Sequence, residues 1–267
     1  MSRARCFLVA WLLVPPALAL AADKEERKDE KKPEPPRVAL ALPFAVSMGS
    51  TNRIVIRGQH LTNATELRFT NTVAFDTFTV SITNRAKADV PKEADAKKVG
   101  DSRLDVEVIV PAGAVPGTNW FTVMTPDGIS EPRPLLVLPA GMLIAEQEPN
   151  GGFKQAQVIE IGRAVTGLIQ EAGDVDVFRF EGSAGETIRV EMVAAAAGSA
   201  LDSLVSVQDA AGRILATNDD ASGQADSILE CDLPKSAAYY INLTDAHDKA
   251  GPTHAYLLRL LRVAPAR

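Results

Sequence analysis

Apolar and polar residues alternate along most of this chain with a period of two, in runs too short for anything but strands. In Asp105-Val106-Glu107-Val108-Ile109-Val110 valine recurs at every second position, the pattern of a strand with one face in a core and the other in water. Residues 53–57, 66–69, 104–110, 120–124 and 134–138 all read as short strands. Farther on, residues 187–193 place Ile188, Val190 and Met192 on one side. Tyr239, Ile241 and Leu243 repeat the pattern, as do Tyr256, Leu258 and Leu260. Gly58, Asn63, Pro116-Gly117 and Pro126-Asp127-Gly128 punctuate the gaps, and Asp209-Ala210-Ala211-Gly212 predicts a hairpin turn between residues 205–208 and 214–217. Residues 83–101, rich in Lys, Ala and Asp, read as an insertion in a hairpin with room for a brief helix. The pattern predicts an all-β protein of two β-sandwich domains, residues 38–140 and 145–263, the first immunoglobulin-like.

The N-terminus breaks the pattern. Arg3 and Arg5 precede an apolar core from Cys6 to Val14, and Ala19-Leu20-Ala21 offers a small-x-small cleavage site. Residues 1–22 are therefore expected to be a signal peptide. Pro15 and Pro16, and a length below the ~20 residues of a membrane span, argue against an anchor. No other segment predicts a membrane span, so the mature protein is expected to be secreted, in the periplasm or outside the cell. Residues 23–37 hold six acids, six bases and three prolines without an apolar side chain, and are expected to be a disordered charged linker. Loss of the signal leaves Cys231 alone, without an internal disulfide partner; its place in an alternating run predicts a buried thiol.

Charge separates the two domains. Residues 38–145 carry ten basic and ten acidic side chains, whereas residues 146–267 carry ten basic and eighteen acidic, a net charge of −8. Nucleic acid is a poor partner for such a surface, and a cation is a natural one. Glu146, Glu148 and Asn150 are followed by Asp174 and Asp176, then by Asp202, Asn218, Asp219, Asp220 and Asp226, each beside a strand-like run. Carboxylates and amides at strand ends are hard oxygen ligands, the kind that calcium collects six to eight at a time.

The order Glu146-x-Glu148-Pro149-Asn150, Gly167, Gly173-Asp174-Val175-Asp176 ahead of Phe178-x-Phe180, Leu201-Asp202, Asn218-Asp219-Asp220 and Tyr239-x-Ile241-x-Leu243 resembles the bacterial pre-peptidase C-terminal (PPC) domain. This is a β-sandwich appended to secreted peptidases and related to the collagen-binding domain of clostridial collagenases. The resemblance covers nearly all of residues 146–262. In the first domain, Arg57-Gly58-Gln59-His60-Leu61 and Thr125-Pro126-Asp127-Gly128-Ile129-Ser130 resemble IPT/TIG-type immunoglobulin modules. The PPC resemblance implies a calcium site formed by Glu146, Glu148, Asn150, Asp174 and Asp176, with Gly151 standing where relatives can carry a further acidic ligand. An ion there would fasten the connector between the domains to the second sandwich. Asp202 with Asp219 or Asp220 is a possible second oxygen-rich site, or a set of turn-capping acids.

Catalysis finds no constellation. His60, His247 and His254 form no H-E-x-x-H pairing, and Gly182-Ser183-Ala184-Gly185 lacks the spacing of a nucleophile elbow. Among the aromatics, Trp120 and Tyr240 fall outside core register and are candidate ligand contacts; so few platforms give no ground for carrying over collagen binding. The reading is a secreted, non-catalytic binding or scaffolding protein with a calcium-stabilised PPC domain, its partner an extracellular protein or cell-surface polymer. The alternative is an accessory subunit or inactive remnant of a secreted peptidase.

Overall fold

A computed structural model describes residues 34–70, 78–90, 96–221 and 223–264. The expected signal peptide and residues 23–33 of the expected linker lie outside the described residues. The end of that linker is ordered, contrary to expectation. His60 Nε2 stands 3.4 Å from the Glu34 carboxylate, and Arg37 opens the first strand.

The first sandwich begins with β1 (Arg37–Leu42), β2 (Ala45–Ser47), β3 (Ser50–Gln59), β4 (Glu66–Thr70) and β5 (Thr79–Lys87). A four-residue helix, α1 (Ala96–Val99), intervenes before β6 (Ser102–Val110), β7 (Gly117–Thr125), β8 (Gly128–Ile129) and β9 (Arg133–Leu138). One sheet runs β1-β3-β6-β5 and the other β2-β9-β7-β4, with β8 paired to β7. Ile54 and Ile56 face Val106 and Leu104 across the β3–β6 ladder and pack on Phe121 and Val123 of the opposite sheet. Residues 83–87, expected in an insertion, continue β5 instead. The excursion is confined to residues 88–101, and Arg57 closes its base by donating to the carbonyls of Asp89 (2.6 Å) and Gly100 (3.2 Å).

The second sandwich opens with β10 (Leu143–Ala145), β11 (Gln157–Val158), β12 (Ala164–Leu168), β13 (Asp176–Gly182) and β14 (Thr187–Val193). It continues with β15 (Ser203–Asp209), β16 (Ile214–Asn218), β17 (Ile228–Asp232), β18 (Ala237–Asp245) and β19 (Ala255–Arg262). Its two sheets run β10-β12-β19-β14-β17 and β11-β13-β18-β15-β16. Phe178, Phe180, Tyr239, Ile241, Tyr256 and Leu258 fill the space between them. Cys231 is buried as expected. The predicted hairpin turn forms where Gly212 adopts φ +79° and Asp209 Oδ1 accepts the amides of Ala211 (3.0 Å) and Arg213 (3.1 Å).

A third apolar cluster joins the sandwiches. Leu40, Phe44, Ala45 and Leu138 of the first pack with Ala164, Ala197, Ala255 and Leu257 of the second. Gly198 permits the approach: a Cβ there would lie 2.4 Å from the Ala39 carbonyl oxygen. The peptide connector is therefore not the sole tie between the sandwiches.

Candidate metal centre

Four strands from two facing sheets build the centre. β10 pairs in parallel with β12 and places Glu146 one residue past its own end. β12 pairs with β19 so that Gly167 stands opposite Tyr256. β13, in the other sheet, begins with Asp176. Carboxylate oxygens of Glu146, Glu148 and Asp176 come within 4.8 Å of one another; Glu148 is exposed, Glu146 half-buried and Asp176 buried. Asn150 is completely buried. Its Nδ2 donates to Glu146 Oε1 (3.0 Å) and its backbone amide to Glu148 Oε2 (2.8 Å).

Two acceptors in this cluster stand out. Asn150 Oδ1 and Asp176 Oδ1 are buried without a hydrogen-bond partner. Such groups are nearly always satisfied in folded proteins, and each one left bare costs about 1–3 kcal/mol. They are oxygens of the kind a hard cation takes.

The Tyr256 hydroxyl lies 2.5 Å from Glu146 Oε1 and 2.6 Å from Asp176 Oδ2. A phenol has one proton to donate, so two contacts this short require a second proton from one of the carboxyls. Asp176 is the group to hold it. Burial, then the hydrogen bond and charge of Glu146, and last the charge of Asp174 push its pKa up to about 9, although the Tyr256 hydrogen bond opposes the shift. Burial and the same two carboxylates hold the Tyr256 phenol well above its ordinary range. Glu146 Oε2 in turn accepts the Leu168 amide at 3.0 Å. Gly167 leaves the space for this arrangement, since a Cβ there would lie 2.4 Å from Tyr256 Cζ and Oη and 2.6 Å from Glu146 Oε2.

Of the residues expected at the centre, Glu146, Glu148, Asn150 and Asp176 converge. Asp174 lies outside that close set: its Oδ2 accepts the Gln170 amide at 2.8 Å and so caps its own loop, although it lines a pocket with Glu148 and its charge bears on Asp176. Sequence reasoning passed over Tyr256, which reads as core because it alternates with Leu258 and Leu260. The available signal was its hydroxyl, which needs a partner when buried.

The possible second site does not assemble in this way. Asp202 Oδ2 lies 3.2 Å from His247 Nδ1, Asp219 and Asp220 are exposed, and none of the three enters an acidic group close enough to hold an ion among the described residues. Asp226 caps a turn: its carboxylate accepts the amides of Ala194 (3.1 Å), Ala195 (2.7 Å) and Ala196 (3.2 Å). Trp120 is 46% exposed on β7. Tyr240 is half-buried on β18, with the ring of Phe153 stacked on it.

No family model matches the chain. A probable subtilase-type serine protease of Deinococcus radiodurans is 36% identical over 103 residues, which cover 38% of this chain and 14% of that protein. Among solved structures, the pre-peptidase C-terminal domain of a Bacillus anthracis collagenase aligns with a TM-score of 0.32 and 13% identity, over 43% of this chain and 99% of that one. The periplasmic lysozyme inhibitor PliG of Aeromonas hydrophila aligns with a TM-score of 0.30 and 18% identity, over 40% of this chain and 99% of that one. No helix among the described residues is long and apolar enough to cross a membrane.

Proposed function

We propose that this chain is a secreted, non-catalytic binding or scaffolding protein. In this reading an immunoglobulin-like sandwich precedes a PPC-type sandwich, residues 145–263, that calcium stabilises. The observation that carries the metal reading is the pair of bare, buried oxygens on Asn150 and Asp176, set among three converging carboxylates. Glu146, Glu148, Asn150 and Asp176 would hold the ion, and Asp174 would add negative potential from its loop. When bound, calcium supplies positive charge to a domain with an excess of carboxylates. All four ligands are oxygen donors, which suits a hard cation and not a soft one. The partner is an extracellular protein or cell-surface polymer, with exposed Trp120 a candidate contact.

Calcium at about 100 times its Kd adds about 2.7 kcal/mol. For a body of this size that raises the melting temperature by about 5–10 °C over the same protein in EDTA. Glu146→Ala combined with Glu148→Ala should remove the increment. A wild-type protein that melts at one temperature with millimolar calcium and with EDTA would refute the site. The alternative, an accessory subunit or inactive remnant of a secreted peptidase, draws on the match to the subtilase-type protease. Co-purification with a peptidase from the native extracellular fraction would favour it, and retention on cell-wall or matrix polymer would favour the first reading.

A further inference from the structure

Asn150 is held by its own hydrogen bonds to Glu146 and Glu148, but the segment that follows it has few ties of its own. The chain leaves Asn150 through Gly151 and Gly152, the two residues with the most backbone freedom to lose. The Asn150 carbonyl accepts the amides of Gly152 (2.8 Å) and Val177 (3.2 Å), which fixes the near end of this segment to β13. At the far end Gln157 ties the segment back to its start, donating to the Ala145 carbonyl (3.0 Å) and accepting the Gln147 amide (2.8 Å). Between these two ends one large apolar side chain occurs, Phe153. Its ring lies parallel to that of Tyr240, with centroids 4.1 Å apart and planes 7° from each other. Tyr240 projects from the outer face of β18, opposite Arg179 of β13, so the stack grips the strand next to the one that carries Asp176.

We infer that the Phe153–Tyr240 stack is the positioning contact of the metal centre. It anchors the glycine-linked segment so that Asn150 keeps its bare Oδ1 in place, although neither ring touches the ion. The inference rests on the metal reading above and names residues outside its ligand set. Without the stack, the segment from Gly151 to Ala156 would keep its ties at the two ends and one internal bond, from the Gln155 amide to the Gly152 carbonyl (2.9 Å), and more of its ordering would fall to ion binding. Preorganisation of that kind appears in affinity. An aromatic pair of this geometry predicts a roughly three- to ten-fold rise in Kd when it is removed.

The test uses the mature full chain titrated with calcium alone, followed by calorimetry, with melting temperatures taken in EDTA and at saturating calcium. Phe153→Ala and Tyr240→Ala should weaken calcium binding by that factor. At a subsaturating calcium concentration they should also lower the calcium-induced rise in melting temperature. Tyr240→Phe keeps the ring and should bind as the wild type does. A stack that only adds stability would lower the melting temperature equally with and without calcium and leave Kd unchanged, and that outcome overturns the inference while the metal reading stands. A wild type that binds no calcium overturns both. Failure of Tyr240→Phe to restore wild-type affinity would show that the hydroxyl, and not the ring, is responsible, and would also overturn it.

Discussion

Gly167→Ala is the sharpest test of how the centre is built, because it adds one methyl group and no charge. Gly167 does not adopt a left-handed backbone, so alanine introduces no torsional strain and the effect is steric. The new Cβ would fall 2.4 Å from Tyr256 Cζ and Oη and 2.6 Å from Glu146 Oε2, against an ordinary contact of 3.4 Å or more. Something must move by about 1 Å. Tyr256 is fully buried in the core and cannot recoil into solvent. Relief therefore comes from separating β12 from β19 or from expelling the Glu146 carboxylate.

Overpacking of this sort costs about 1–3 kcal/mol. Loss of the hydrogen bond between Tyr256 and Glu146 adds about 1.5–3 kcal/mol, because the acceptor is charged. The sum, about 2.5–6 kcal/mol, corresponds to a melting temperature lower by about 5–24 °C at 2–4 °C per kcal/mol. Differential scanning calorimetry in EDTA and in millimolar calcium reads both consequences, lower stability and a diminished calcium increment. Gly152→Ala is the control, since its added Cβ meets nothing within 4 Å and its backbone is also outside the left-handed region; it should melt with the wild type. If Gly167→Ala melts within a degree of the wild type and keeps its calcium increment, the packing of Tyr256 against Glu146 described above is wrong.

Further outcomes follow from individual groups. Asp176 binds a proton in the metal-free fold up to about pH 9 but in the unfolded chain only up to about pH 4. Metal-free stability should therefore fall as pH rises between those values, and Asp176→Asn should flatten that slope in EDTA melts and abolish the calcium increment. Burial lowers the pKa of His254, with Asp245 opposing, so its contribution runs the other way and stability is lost as pH falls below the usual histidine range. Melts of His254→Gln and the wild type from pH 7 to pH 5 should converge if this is so. Asp226→Ala removes a buried carboxylate that caps three amides and should cost about 2–4 kcal/mol in denaturant titration without changing calcium affinity.

The sequence made the sandwiches legible wherever one face is buried and the other wet. Residues 187–193 and 104–110 are cases: Ile188, Val190 and Met192, and Leu104, Val106, Val108 and Val110, are the buried faces of β14 and β6. It hid β10 and β11, which are three and two residues long and too short to show a period. It also hid the cluster joining the sandwiches, because Ala164, Ala197 and Ala255 are too small to mark a face. At the centre, spacing suffices to nominate carboxylates but not to aim them. Asp174 and Asp176 lie two apart and are equivalent by spacing, yet one caps a loop and the other opens a buried strand.

The placement of the centre between sheets explains why this site and not another would matter mechanically. Glu146 and Tyr256 belong to one sheet of the second sandwich, and Asp176 belongs to the other. The hydrogen bonds that link the Tyr256 hydroxyl with Glu146 and with Asp176, and any ion shared by Glu146 and Asp176, therefore cross from sheet to sheet. That is the span a disulfide bridges in many sandwiches. Here Cys231 is the one cysteine among the described residues, and it has no partner. The crossing also lies beside a short edge, since β10 is an edge strand of three residues paired on one side only within its sheet. The apolar cluster already restrains the two sandwiches relative to each other, so a cation at Glu146 need not act as a brake on a hinge between them. Its effect falls on the second sandwich itself, as a polar staple between the faces of one core. Calcium should thus protect the amides of β10 and β13 from hydrogen exchange and leave β6 and β7 of the first sandwich unchanged. Equal protection in both sandwiches would assign the ion to the joint between them instead.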